Sequence, residues 1–226
     1  MTKQIGYHFL REDMTSPNAP NEVWTVGQKR TLRGGDIIPC ERGFHASPSL
    51  WAALTYAPGP IACLVELSGK TVAHGEPVDK YAARSRKLIA AVNIDRELRH
   101  FAADCAEHTL WIYERDYPDD QRPRNAIQAV REFADGKIGA AAAAAARDAA
   151  RDATWDAAAG AARAAAWDAA KAAAKAAAWD AAKAAARDAA AGAARAAARD
   201  AAWAAEQEWQ RQQFDQRFGS IFGGAA

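Results

Sequence analysis

Cys40 and His45 are the first residues of this sequence whose types and spacing suggest chemistry, because thiolate and imidazole are common ligands of zinc. A zinc site needs three or four such ligands, and no Cys-x-x-Cys or His-x-x-x-His pair accompanies these two. We therefore predict no metal site. The cysteines, Cys40, Cys63 and Cys105, are odd in number and widely spaced, which indicates reduced thiols rather than a disulfide framework.

Arg122 and Arg124 are a second chemical candidate. A guanidinium binds a carboxylate or phosphate through two parallel hydrogen bonds, so the pair could contact a partner. The alternative is that both arginines pair with Asp119, Asp120 or helix carbonyls and thereby hold a turn in place.

Two helices and a turn are expected to position these arginines. Residues 102–114 and 126–133 carry helical apolar faces, Pro118 ends the first helix, and Pro123 lies close to the start of the second. We predict that residues 94–138 form this helix-turn-helix connector.

Residues 1–93 differ in composition, with Pro, Gly and short apolar runs that predict an α+β head domain with a small mixed sheet. A helix is expected over Ser47–Tyr56, with Ser47 as N-cap and Pro48 at the first helical position. The candidate strands are short and bounded by turn formers: Gln4–Leu10, Val23–Val26, Arg42–His45, Ala62–Leu67, Thr71–Val72 and Lys87–Ala91.

Residues 139–226 are dominated by a four-residue repeat. From Arg147 to Trp203, Arg, Lys or Trp stands at nearly every fourth position and alanine fills most of the rest, which predicts helix. Four residues overshoot one helical turn by roughly 40°, so no single stripe runs along the tract. We expect an all-α alanine-rich bundle of shorter helices, interrupted near Gly139, Gly160 and Gly192.

The C-terminal tail, residues 204–222, is amphipathic and offers docking candidates. Trp209 and Phe214 are the residues we expect to contact a partner, and Gly219 is a predicted helix cap.

Charge and hydropathy exclude several function classes. Charges recur too often in the repeat for a membrane span, and acids nearly balance bases, which argues against a nucleic-acid arm. The repeat lacks the regular hydroxyl array of an ice-binding helix. No apolar leader follows the N-terminus, the net charge is +1, and we predict a cytoplasmic protein.

The segment Gly43-Phe44-His45-Ala46-Ser47, followed by Tyr56 and by the apolar run from Cys63 to Gly69, resembles the central signature of poly(ADP-ribose) polymerases and related ADP-ribosyltransferases. This resemblance implies an NAD pocket in which Tyr56 stacks on nicotinamide, His45 replaces a tyrosine, Ser47 lies near the wall and His8 binds ribose. The implied ligand-binding residues are His8, Gly43, His45, Ser47 and Tyr56, and the candidate catalytic residues are His8, His45 and Tyr56. Residues 80–91 lack the glutamate that these enzymes use on a later strand, which argues against catalysis.

Two further resemblances name no enzymatic activity. The N-terminal pattern, from Gly6-Tyr7-His8 to Leu88, resembles a small phage and bacterial domain of unknown function. The pattern Cys-Ala-Glu, then Pro-Asp-Asp-x-Arg-Pro-Arg-x-Ala-Ile-x-Ala, then alanine-rich helices, resembles immunity proteins of the immunity-protein-five-like group in bacterial toxin systems. That group implies binding to a toxin rather than chemistry.

We therefore predict a phage or bacterial conflict-system protein, of immunity or anti-defence type, that inhibits or sequesters a toxin or defence protein by binding it. One alternative is an NAD-dependent ADP-ribosyltransferase. Between these two readings lies a head pocket that binds NAD or another nucleotide without catalysis, and a head in which His45 and Tyr56 are ordinary core or edge residues is also open. Another alternative is a structural or filament-forming protein built on the alanine-rich repeat, whose helices could also join copies of the chain into an oligomer.

Overall fold

A computed structural model of the chain describes residues 3–146, 148–153 and 201–223 and shows a mixed α+β protein. An antiparallel sheet forms in the N-terminal half, and helices follow, so the predicted α+β class is confirmed. The predicted mixed sheet was wrong, because every pair of strands in the described residues is antiparallel. The elements are β1 (Gln4–Leu10), β2 (Lys29–Thr31), β3 (Phe44–Ala46), α1 (Leu50–Leu54), β4 (Ile61–His74), β5 (Lys80–Asn93), α2 (Asp95–Asp116) and α3 (Arg122–Ala134).

The sheet is built around two long strands. β4 lies between β1 and β5, and both β2 and β3 pair with β5, all antiparallel. Tyr7 of β1 and Ser47, just after β3, exchange backbone hydrogen bonds of 2.9 and 2.8 Å. Hydrogen bonds therefore connect β1 to β4, β4 to β5, β5 to β3, and the end of β3 back to β1.

β4 is the central strand because its first residues are apolar on both faces. Ala62, Cys63, Leu64 and Val65 are all at most 2% exposed, as expected for a strand covered on both sides. The core around them also includes Leu10, Trp24, Ala46, Leu67 and Leu88. This core fixes the strand register that positions the candidate site.

Several predicted strand bounds were wrong. Val23–Val26 forms no strand; Trp24 instead donates its backbone N–H to the Met14 carbonyl and is buried from a loop. The predicted strands Ala62–Leu67 and Thr71–Val72 are parts of one strand, β4, because a bulge at Gly69, with φ +81°, lets it continue. β2 was missed because it has only three residues.

The predicted helix Ser47–Tyr56 is shorter than expected. Ser49, rather than Ser47, is the N-cap of α1, and its Oγ accepts a 3.1 Å hydrogen bond from the Ala52 amide. Ser47 remains extended because its backbone is paired with Tyr7.

The predicted helix-turn-helix is present, with longer helices. α2 and α3 enclose a small apolar core of Ala103, Leu110 and Ile127, with Val130 packed against it. The two prolines of this region lie where the sequence predicts. α2 ends before Pro118, and Pro123 lies in the first turn of α3.

The alanine-rich tract is described only at its two ends. Residues 140–146, 148–153 and 201–218 are helical, and the first of these segments begins directly after Gly139, whose carbonyl accepts from the amides of Ala142 and Ala143. The predicted interruptions at Gly160 and Gly192, and the bundle itself, lie outside the described residues. Among the described helices, none is both long enough and apolar enough to cross a membrane.

Contacts divide the chain into two compact units. We call residues 1–98 with 211–226 the head unit, and residues 99–210 the helical unit. The predicted boundaries at residues 93 and 138 stay a prediction.

Candidate functional site

The head unit contains a cavity of about 560 Å³, a size typical of small-molecule sites. β1, β3, β5 and the loops around Asn18 and Glu41 contribute to its wall. The five residues predicted to bind a ligand all line this one cavity: His8, Gly43, His45, Ser47 and Tyr56. Their convergence is a finding of the structure, whereas ligand binding by them stays a prediction.

His8 lies on β1, opposite Cys63 of β4. Its Nε2 is buried and is the only fully buried side-chain nitrogen or oxygen without a hydrogen-bond partner in the part of the chain that the structure describes. Burial lowers the pKa of His8 well below its usual value, and the nearby Arg86 and His45 lower it further. The imidazole is therefore neutral at pH 7.

His45 lies on β3, opposite Ala82 of β5. Its Nε2 accepts a 3.1 Å hydrogen bond from the backbone amide of Cys40, so the neutral ring carries its proton on Nδ1. Burial lowers the pKa of His45, and the positive charges of Lys80 and Arg86 add to this effect. His45 thus offers an N–H donor rather than a cation.

Cys40 contacts His45 through its backbone amide. No group of three or more His, Cys, Asp or Glu side chains within residues 3–146, 148–153 and 201–223 is arranged to hold a metal ion. Cys63 is buried and Cys105 partly buried, and all three cysteines are free thiols.

Tyr56, two residues after α1, is held by polar contacts. Its hydroxyl donates to Oδ2 of Asp79, whose Oδ1 is 2.8 Å from Nδ1 of His74. The Lys80 ammonium lies 4.2 Å from the centre of the Tyr56 ring. Hydrogen bonds from Tyr56 and His74 lower the pKa of Asp79 to about 2, and the bond to Asp79 raises the pKa of Tyr56. The Lys80 ammonium therefore covers part of one face of the Tyr56 ring, which was predicted to stack on a ligand.

Gly43 and Ser47 have structural roles in addition to their place in the cavity wall. A Cβ on Gly43 would lie 2.9 Å from the Cβ of Ala82, so only glycine lets β3 approach β5 this closely. Ser47 is 3% exposed and provides the backbone link to Tyr7.

Arg86 is a buried residue of the cavity wall that the sequence did not predict. It is 4% exposed, its Nη1 donates a 2.9 Å hydrogen bond to the His45 carbonyl, and its guanidinium lies 4.4 Å from the Trp24 ring centre. Burial lowers the pKa of Arg86 to about 10. The available signal was strand periodicity, because Arg86 precedes the apolar Leu88 by two residues and so shares its face of β5.

The predicted partner-binding arginines are engaged within the helical unit. Nε and Nη2 of Arg122 bind Asp120, as one alternative predicted, and the same two atoms of Arg124 bind Glu114 of α2 at 2.8 Å each. These bonds connect the turn and the helices that they flank. Contact between either arginine and a partner stays a prediction.

The two aromatic docking candidates differ in exposure. Trp209 is half-buried and stacks on His108 with ring centres 3.7 Å apart. Phe214 is fully buried in the head unit and packs on Trp51 and Phe218, so in this structure its side chain offers no surface to a partner. Phe214 therefore packs within its own chain.

Comparison with protein families gives two matches. Residues 92–217 match the family described as Imm-5 like putative immunity protein. Residues 4–100 match a domain of unknown function, DUF7666. No curated protein and no solved structure matches the chain.

Proposed function

The chain belongs to the Imm-5 like immunity protein family, and we propose that it protects a bacterial or phage-infected cell by binding and inhibiting a toxin or defence protein. The observation that carries this proposal is the family match over 92–217, which contains the whole α2–α3 pair. We place the action in the cytoplasm and assign it no chemical step.

The α2–α3 pair has the rigidity that a binding surface requires. Nη2 of Arg131 on α3 binds both Asp104 and Glu107 of α2, at 2.8 and 2.6 Å, and Arg124 binds Glu114. Ion pairs that span two helices limit their relative motion, and a preorganised surface loses less entropy on binding.

Exposed apolar side chains on α2 indicate where a partner would bind. Trp111 is 61% exposed and Ile112 is 50% exposed, whereas their neighbour Leu110 is buried in the α2–α3 core. Tryptophan is among the residues most enriched at the energetic centres of interfaces. We propose that Trp111 and Ile112 insert into an apolar pocket of the partner protein.

The test is protection of a bacterial host from a candidate toxin that is expressed together with this chain. Co-expression should restore growth, and the purified proteins should form a 1:1 complex by calorimetry. Trp111→Ala should weaken the complex by about tenfold or more, without changing the thermal unfolding of the chain. Val26→Ala, at a site in the head unit that is 59% exposed, is the matched control and should bind normally. Absence of both protection and complex would overturn the proposal.

An ADP-ribosyltransferase is the second candidate, because the structure brings its three proposed catalytic residues, His8, His45 and Tyr56, to one cavity. NAD would be the cofactor. Transfer of label from NAD to protein or nucleic acid in a host lysate, lost in His45→Ala, would support this candidate over binding alone. A lysate that stays unlabelled would eliminate it.

A further inference from the structure

Arg86 is a buried cation without an anionic partner among the described residues. No carboxylate there pairs with it, and the titratable groups that act on its pKa are Arg30 and Cys63. The Cys63 thiol is neutral at pH 7, because burial raises its pKa to about 12. A buried charge without a counter-charge destabilises the folded state. A protein that retains such a charge commonly uses it to bind a ligand.

One edge of the Arg86 guanidinium is unused. Nη1 donates to the His45 carbonyl, and this is the one hydrogen bond that the Arg86 guanidinium makes with the residues that the structure describes. Arg122 and Arg124 show what this edge does elsewhere in the chain, since each binds a carboxylate through Nε and Nη2. The free edge of Arg86 therefore has the geometry for two oxygens of one oxyanion.

The surroundings of Arg86 fit an anionic ligand. The cavity is also lined by Lys80, Arg30 and Arg42, and by the imidazoles of His8 and His45. The His45 Nδ1 carries a proton, and the His8 Nε2 is a buried polar atom that lacks a partner within the described residues.

The cavity wall has fewer carboxylates than cationic side chains, and aromatic rings lie against Arg86. Glu22 and Glu41 line the cavity, but Glu22 is already paired with Arg30 at 2.6 Å. Trp24 and Phe44 lie against the Arg86 guanidinium, at 4.4 and 5.5 Å from their ring centres. A ligand with an apolar body and one oxyanion would complement both features.

We propose that the head cavity is a binding site for a small molecule that carries a carboxylate or phosphate group, held by the Nε and Nη2 edge of Arg86 and by His8 and His45. This site lies in the head unit and does not depend on partner binding by α2. The oxyanion of the bound molecule supplies the anionic partner that Arg86 does not have among the described residues.

Two probes with the same ring separate the two oxyanions. Phenyl phosphate and phenylacetate are titrated into the full chain by calorimetry at constant ionic strength, with benzyl alcohol as the neutral control. We expect one-to-one binding of at least one oxyanion with Kd of 1 mM or tighter, on the order of the weakest functional ligands, and no binding of benzyl alcohol. At a free probe concentration of ten times Kd, binding should raise the melting temperature of the protein by about 5 °C.

Variants at position 86 decide whether the arginine is a ligand or a structural residue. Arg86→Lys should weaken binding at least tenfold, because lysine lacks the planar two-donor edge. Arg86→Met should abolish binding while leaving the melting temperature without ligand unchanged or higher, since an apolar side chain of similar size removes an uncompensated charge.

Arg84→Met is the matched control on the same strand. The Arg84 guanidinium donates to the carbonyls of Gly34 and Gly35, outside the proposed contacts, so this variant should bind the probe normally. Failure of both oxyanions to bind the wild-type chain would overturn the proposal. Equal binding by the wild type and Arg86→Lys would also overturn it, even if Arg86→Met does not fold.

Discussion

Phe214 packs edge-to-face on Trp51, with ring centres 5.3 Å apart, and thereby joins the C-terminal segment to α1 within the head unit. Phe218 packs beside Phe214, and Phe222 lies 6.1 Å from Tyr7 of β1. Phenylalanines at residues 214, 218 and 222 therefore all bury against the N-terminal fold. The described residues 211–223 are therefore part of the head unit and not a separate tail.

We expect Phe214→Ala to lower the free energy of unfolding of the head unit by about 3–5 kcal/mol, because it removes a fully buried ring and leaves a cavity. Urea unfolding followed by circular dichroism measures the change. Trp203→Ala is the control, since this side chain in the same helical segment is 66% exposed and should change stability by less than about 0.5 kcal/mol. Equal stability of Phe214→Ala and wild type would contradict the described packing.

Gly43→Ala should destabilise the head unit by about 1–3 kcal/mol, because the new methyl group would overlap the Ala82 side chain at 2.9 Å. Thermal unfolding provides the measurement. Gly139→Ala is matched in chemistry but has no neighbouring atom within 4 Å of the added Cβ, so it should be nearly neutral. A neutral Gly43→Ala would show that β3 and β5 are farther apart than described.

Arg131→Ala should lower the free energy of unfolding of the helical unit by about 1 kcal/mol, because Arg131 pairs with both Asp104 and Glu107 of α2. The loss should shrink in 1 M NaCl, where exposed ion pairs are screened. Arg115→Ala, which removes only a pair with the adjacent Asp116 on α2, should have no measurable effect. A salt-independent loss would indicate packing by the arginine stem instead.

Stability of the head unit should fall as pH decreases from 7.5 to 5. The folded-state pKa values of His8 and His45 are lowered from 6.5, so below pH 6.5 the unfolded chain binds protons that the folded chain excludes. Each histidine contributes stability that is present above pH 6.5 and is lost as pH falls, at no more than about 1.4 kcal/mol per pH unit. Urea unfolding of wild type and His8→Gln at several pH values tests this, and the variant should show the smaller slope. Identical slopes would mean that His8 is accessible to protons in the folded state.

The immunity-family proposal and the anion site can fail separately. Trp111→Ala tests the helical unit through protection, whereas Arg86→Lys tests the head unit through binding of a small oxyanion. The family match over 92–217 ends near Phe214, which lies in the head unit, so truncation at residue 210 should remove packing residues of the head. Experiments on either unit should therefore use the full chain.

Local features of the sequence determined the α+β character of the N-terminal half and the helix pair that follows. Proline and glycine bound the elements, and apolar periodicity distinguishes strand from helix, because each of these effects acts over a few residues. The turn between α2 and α3 could be predicted in this way from Pro118 and Pro123, and Asp120 as a partner of Arg122 is near it in sequence.

Only the tertiary structure decided which distant residues meet. His8 and His45 line one cavity because β1 and β3 are linked through Tyr7 and Ser47, and Phe214 is buried because the chain returns to α1. The environment of Arg86 depends on Trp24, His45 and Cys63, which three separate segments supply. Burial and missing counter-charges are properties of such long-range packing, and for that reason the sequence pattern identified the histidines but not the arginine that lines the same cavity.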